Sequence, residues 1–125
     1  MTNLDFINYL KNILDNNYTY TDSFIDESKS NTICVYQRSG SAPLSRRVGF
    51  KLYPCTLCIT NGELPHEAQT KANEIFDLLY EREEQVIDDI HFIIIIRNNP
   101  VFLGKTDAGY YRHALDLDIY FKKGE

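Results

Sequence analysis

Several things are missing from this chain, and each absence narrows what it does. Its longest uninterrupted apolar run, Phe92 to Ile96, is far short of the about 20 residues a membrane-spanning helix needs. Met1 to Asn17 lacks a basic start followed by an apolar stretch, so no secretory signal is expected. Cysteine is scarce and odd in number, three in all, which fits a reducing compartment better than a disulfide scaffold. Cys55 and Cys58 form a C-x-x-C, but no second pair and no paired histidines follow to complete a zinc site. Their segment, Tyr53–Thr60, reads as strand, where residues three apart point to opposite faces, so the two thiols should diverge and serve as buried structural side chains. A net charge of −5 argues against a nucleic-acid binder.

What is present describes an ordinary globular chain. With 125 residues, 43% hydrophobic and 25% charged, it is expected to form one domain over 1–125. Phe6, Tyr9, Leu10, Ile13 and Leu14 recur at helical spacing, with Asn3 available as N-cap, and predict a helix over 4–15. Asn16 to Asn31 is polar connection with room for a short edge strand at Tyr18–Thr21. Thr32–Gln37 is a β-branched and aromatic strand, and Arg38–Arg47 an exposed loop. Val48–Thr60 is a second strand whose apolar parity switches around Pro54, which predicts a bulge there. Pro65 suits the first turn of a helix carrying Ala68, Ala72, Ile75, Phe76 and Leu79, running to about Glu83. Phe92–Arg97 reads as a central strand that Asn98-Asn99-Pro100 breaks and Val101–Leu103 resumes.

The last strand carries the clearest pattern. Tyr111, His113, Leu115, Leu117, Ile119 and Phe121 share one face, while Tyr110, Arg112, Ala114, Asp116, Asp118 and Tyr120 share the other. One face is therefore packed and the other wet. Together these elements predict an α+β fold: a largely antiparallel or mixed sheet of about four strands with two helices on one face, in the order helix-strand-strand-helix-strand-strand.

No catalytic constellation emerges, and no cofactor is expected. Gly104-Lys105-Thr106 has the look of a phosphate-loop tail, but Asn99 stands where that loop needs its first glycine, so a turn is the better reading. His66, His91 and His113 are scattered and have no nucleophile beside them. Asp107, Asp116 and Asp118 form the one candidate metal set, which would suit a small nuclease-like enzyme. Charge placement is more informative. Residues 38–51 carry Arg38, Arg46, Arg47 and Lys51 with no acid, whereas residues 63–89 carry nine acids against Lys71 and Arg82. Blocks of opposite sign on one small domain suit a heterologous contact between copies, one that closes into a ring when the rotation permits.

Three segments in order carry a family resemblance. Val35-Tyr36-Gln37-Arg38-Ser39-Gly40-Ser41-Ala42-Pro43 resembles the strand and turn of small phage minor capsid proteins, which are similar to the tail-terminator and tail-completion proteins of long-tailed phages. The Ala68/Ala72/Ile75/Phe76 helix matches the second helix of that family. Pro100-Val101-Phe102-Leu103-Gly104 followed by Leu115-Asp116-Leu117-Asp118-Ile119-Tyr120-Phe121 matches its closing strand. The chain departs from the pattern at Thr60-Asn61, where a charged or aromatic pair is common. The resemblance implies a non-enzymatic virion subunit assembling as a ring, often hexameric, on the tail tube. Its partners would be itself, the tube protein and the head-completion or connector proteins, with no membrane and no specific nucleic acid. It would act at the head-proximal end of the tail, after assembly in the host cytoplasm. Arg38, Arg46, Arg47, Asp116 and Asp118 are the expected interface residues, the arginines toward the tube or the next subunit and the aspartates on an exposed or lumenal face.

Overall fold

A computed structural model describes residues 1–14, 17–25, 29–38, 50–80, 82 and 84–123. In chain order the elements are α1 (Asn3–Ile13), β1 (Thr19–Asp22), β2 (Asn31–Gln37), β3 (Lys51–Asn61), α2 (Pro65–Tyr80), β4 (Gln85–Ile87), β5 (Ile90–Ile96), β6 (Val101–Lys105) and β7 (Tyr111–Lys123). The strands form one sheet in the order β1-β2-β3-β7-β5-β4, with β6 also pairing β7. Among the described residues only the β1–β2 pairing is parallel.

This corrects the expected fold in strand number and order. The sheet has seven strands rather than about four, curls into a half-barrel and dominates the molecule. Beyond the four main strands, β1 corresponds to the short edge strand allowed at Tyr18–Thr21 and β6 to the resumed run at Val101–Leu103, while β4 has no counterpart among the expected strands. β1 has four residues and β4 three, too few for alternation to register. β5 and β6 both lie along one side of β7, β5 against its C-terminal part and β6 against its N-terminal part.

Local chemistry explains both helices. Thr2, not Asn3, caps α1: its hydroxyl accepts from the Asp5 amide while the Asp5 carboxylate accepts from the Thr2 amide, a reciprocal capping box. Asn3 instead reaches across to Asp22, Ser23 and the Tyr53 hydroxyl. Pro65 opens α2, and its Ala68, Ala72, Ile75 and Leu79 are buried. Phe6, Leu10, Ala72, Ile75 and Leu79 share one core with Ile33, Val35, Tyr53, Cys55, Leu57, Ile59, Phe92, Ile94, Leu115, Leu117 and Ile119. The odd-numbered face of β3 and β7 is therefore the helix-covered one.

The expected bulge at Pro54 is absent, and register runs unbroken through it against β7. Leu52 simply lies on the opposite face from Tyr53. The missing N–H costs no ladder bond because β2 ends at Gln37, one rung earlier, and the Pro54 carbonyl still accepts from Arg38. A register shift occurs instead in β6 between Phe102 and Gly104, where Gly104 takes φ +101°, a left-handed value suited to glycine.

Candidate functional site

The second face of the sheet, away from the helices, carries a connected set of charged and polar side chains. Register places Asp118 between Pro54 of β3 and Ile95 of β5, and Asp116 beside Thr56 of β3. Arg38, the first residue after β2, lies across this row. Its guanidinium donates to the Leu117 carbonyl at 2.6 Å, to Asp118 Oδ1 at 3.0 Å and to the Cys55 carbonyl at 3.4 Å. Arg97, following β5, donates to the other carboxylate oxygen, Asp118 Oδ2, at 3.1 Å. The Thr56 hydroxyl donates to Asp116 Oδ1 at 2.7 Å, and Arg38 stands 4.0 Å from the same oxygen.

Asp118 is thus held between two cations and is only 15% exposed, whereas Asp116 is 42% exposed. The four charges Arg38, Arg97, Asp116 and Asp118 cancel. Multiple charge-assisted hydrogen bonds on a part-buried carboxylate fix orientation more firmly than an exposed pair would. These four side chains are therefore mutually oriented and locally neutral.

The break between β5 and β6 serves this arrangement. The Arg97 amide donates to the Asp116 carbonyl at 2.9 Å, and the Asp116 amide donates to Asn98 Oδ1 at 2.9 Å. The Asn98 side chain replaces the ladder acceptor that the chain loses as it turns at Asn99-Pro100. The interruption leaves the Asp116 backbone satisfied and Arg97 aimed at Asp118.

Further along, Cys34 of β2 faces Cys58 of β3, both buried and free. Burial raises both thiols, Cys58 to about 11, despite the opposing charge of Arg112. Cys55 lies on the helix-covered face, where burial raises it further. The divergence expected of the C-x-x-C pair is the observed geometry.

The structure brings together Arg38, Asp116 and Asp118. Arg46 and Arg47 lie outside the described residues. Asp107 is not brought to the other two aspartates: it occupies the turn between β6 and β7, about 20 Å of strand rise from Asp116. Among the described residues no cluster of three His, Cys, Asp or Glu side chains could hold a metal ion. Gly104-Lys105-Thr106 runs into a tight turn in which the Thr106 hydroxyl accepts from the Tyr110 amide at 3.1 Å. The three histidines lie on α2, β5 and β7. Sequence reasoning missed Thr56, Arg97 and Asn98. The only available signal was a charged residue entering the Asn-Asn-Pro break, and it gave no hint that β5 would lie against β7.

No curated protein matches the chain. A family model described as bacteriophage tail terminator protein matches residues 8–122, nearly the whole length and including every element of the face just described except the residue that ends β7. The chain belongs to the bacteriophage tail terminator family.

Proposed function

We propose that this subunit caps the phage tail tube, stops its growth and offers a surface for joining the tail to the head, working as a ring. The observation that carries this reading is the family match over residues 8–122. The protein assembles in the host cytoplasm and ends at the head-proximal end of the tail, with the tube protein and head-completion or connector proteins as neighbours.

Charge supports the ring. The basic block at Arg38, Arg46, Arg47 and Lys51 complements the acidic block over residues 63–89, and such a contact is heterologous. In this reading Arg46 and Arg47 reach the tube or the next subunit. Arg38 and Asp118 hold each other, so they shape the interface rather than supply free charge to it. Of the two strand aspartates, the more exposed Asp116 is the one left to repel passing DNA if the face lines the lumen.

The test is complementation of a phage lacking this gene. Restored tail length and head joining are expected with the wild-type chain, and Arg46→Glu with Arg47→Glu should abolish both. Tails of normal length, fully joined, in the absence of the protein would refute the proposal. Light scattering at low and physiological salt should show a ring-sized species that salt weakens.

A further inference from the structure

Strand register sets two cysteines against each other. Cys34 of β2 and Cys58 of β3 are directly opposite in an antiparallel pairing, on the face of the sheet away from the helices. Their rung is of the hydrogen-bonded kind. The Ser30 carbonyl accepts from the Gly62 amide and the Pro54 carbonyl from the Arg38 amide; both pairs lie on the register of Cys34–Cys58, and such rungs recur at every second residue. Opposed Cα atoms at such a rung lie about 5.5 Å apart, within the range of about 4.4–6.8 Å that a disulfide spans. Both thiols are free and their residues only 1% exposed, and Cys34 is close enough to push the Cys58 thiol up. Cys55 projects into the helix-covered core and is no rival partner.

We propose that Cys34 and Cys58 form a reversible dithiol–disulfide pair that ties β2 to β3 when the protein meets a peroxide. In the reaction one thiolate attacks a peroxide oxygen, the O–O bond breaks, and a sulfenic acid forms. The second sulfur then displaces the sulfenic hydroxyl, which leaves as water as the S–S bond forms. Two thiols and one hydrogen peroxide give one disulfide and two waters; the sulfurs lose two electrons and the peroxide gains them. At a hydrogen-bonded rung the Cβ atoms start about 5.5 Å apart, against about 3.8 Å in a relaxed disulfide. The closed bond is therefore strained, and a dithiol reductant reopens it.

Access to the pair is set by β1. Thr21 lies opposite Cys34, and backbone groups of Ser23 and Phe24 lie against its sulfur. At four residues β1 is the shortest strand beside the pair, so local opening there exposes Cys34 before the core unfolds. A small peroxide needs less opening than a bulky disulfide does. The bond would also act on the basic block. Cys34 stands four residues before Arg38 and Cys58 seven after Lys51, so an S–S link closes the base of the segment that carries those cations.

The test treats the folded wild-type chain with hydrogen peroxide and follows intact mass, peptide map and melting temperature. The chain should lose two hydrogens, and the map should show Cys34 linked to Cys58 with Cys55 still open to alkylation after unfolding. The melting temperature should rise by about 5 °C, because the link constrains the unfolded chain. Dithiothreitol should restore the original mass and melting temperature. Cys58→Ala should show neither change, its folding being read from its own melting curve. The wild-type map decides the matter even if that variant fails to fold. Cys34 and Cys58 left as thiols, or carrying separate oxygens, would overturn the proposal. So would a link to Cys55, a Cys34–Cys58 link that forms only in urea-unfolded chain, or one that dithiothreitol cannot reopen in the folded protein. None of these results bears on the ring, which is read from the mass of the assembled species.

Discussion

The two faces of β7 are made from the same backbone and held in different ways. On one, Leu115, Leu117 and Ile119 are fully buried under both helices, and the free energy is that of removing apolar surface from water. On the other, Asp116 and Asp118 are fixed by hydrogen bonds from Arg38, Arg97 and Thr56, contacts whose net contribution to stability is small because water competes for every partner. The first face determines that the chain folds. The second determines where charges and hydrogen-bonding groups sit once it has folded, and it is the face free to meet something else.

If that division is right, substitutions on the two faces should differ in size and in kind. Leu117→Ala should have the largest effect, a loss of about 3 kcal/mol in chemical denaturation, since its side chain is wholly buried at the centre of the core. Arg38→Met should cost about 1–2 kcal/mol, because it leaves Asp118 with Arg97 alone and removes the donor to the Leu117 carbonyl. A double-mutant cycle should give stronger coupling for Arg38 with Asp118 than for Arg97 with Asp118, the latter cation being 57% exposed. Asn98→Ala should cost about 1 kcal/mol by orphaning the Asp116 amide, with faster exchange at that amide as the direct readout. A larger loss from Arg38→Met than from Leu117→Ala would break the comparison.

The same division explains what could be read in advance. The packed face announces itself through period: β7 alternation and the α2 stripe place their residues correctly, because burial selects side-chain type position by position. The apolar run of β5, which suggests cover on both faces, is instead buried on one face only and leaves Ile95 46% exposed. β4, with three residues, is too short to carry a period, and β1, with four, registers only as room for an edge strand, so the sheet was undercounted. On the polar face, Asp116 and Asp118 were legible as a pair through their spacing alone. Their partners were not: Arg38 lies 80 residues from Asp118 in sequence and Arg97 lies 21 away, and only the β2-β3-β7-β5 strand order brings both to one carboxylate. The α1 cap was misassigned for a related reason, since Asn3 is by residue type the better cap but is drawn away by Asp22 and Ser23, leaving Thr2 to form the capping box with Asp5.

The smallest predicted effect lies where the two descriptions meet. His113 is on the core parity of β7 but beyond most of the helix cover, 5% exposed, with the Phe102 ring 5.6 Å away and Nδ1 without a hydrogen-bond partner among the described residues. Burial lowers its pKa from the ordinary 6.5, so the folded protein resists a proton that the unfolded chain accepts. In the window below 6.5 the unfolded state binds more protons, and stability must fall as pH falls through it; above 6.5 the contribution is fully present. His113→Gln should flatten this part of the stability profile while leaving the decline at lower pH, where carboxylates such as Asp22, itself lowered by Asn3 and Ser23, take up protons. A variant whose profile between pH 5 and 7 overlays the wild type would place the imidazole in contact with water and assign His113 to the wet side of the comparison.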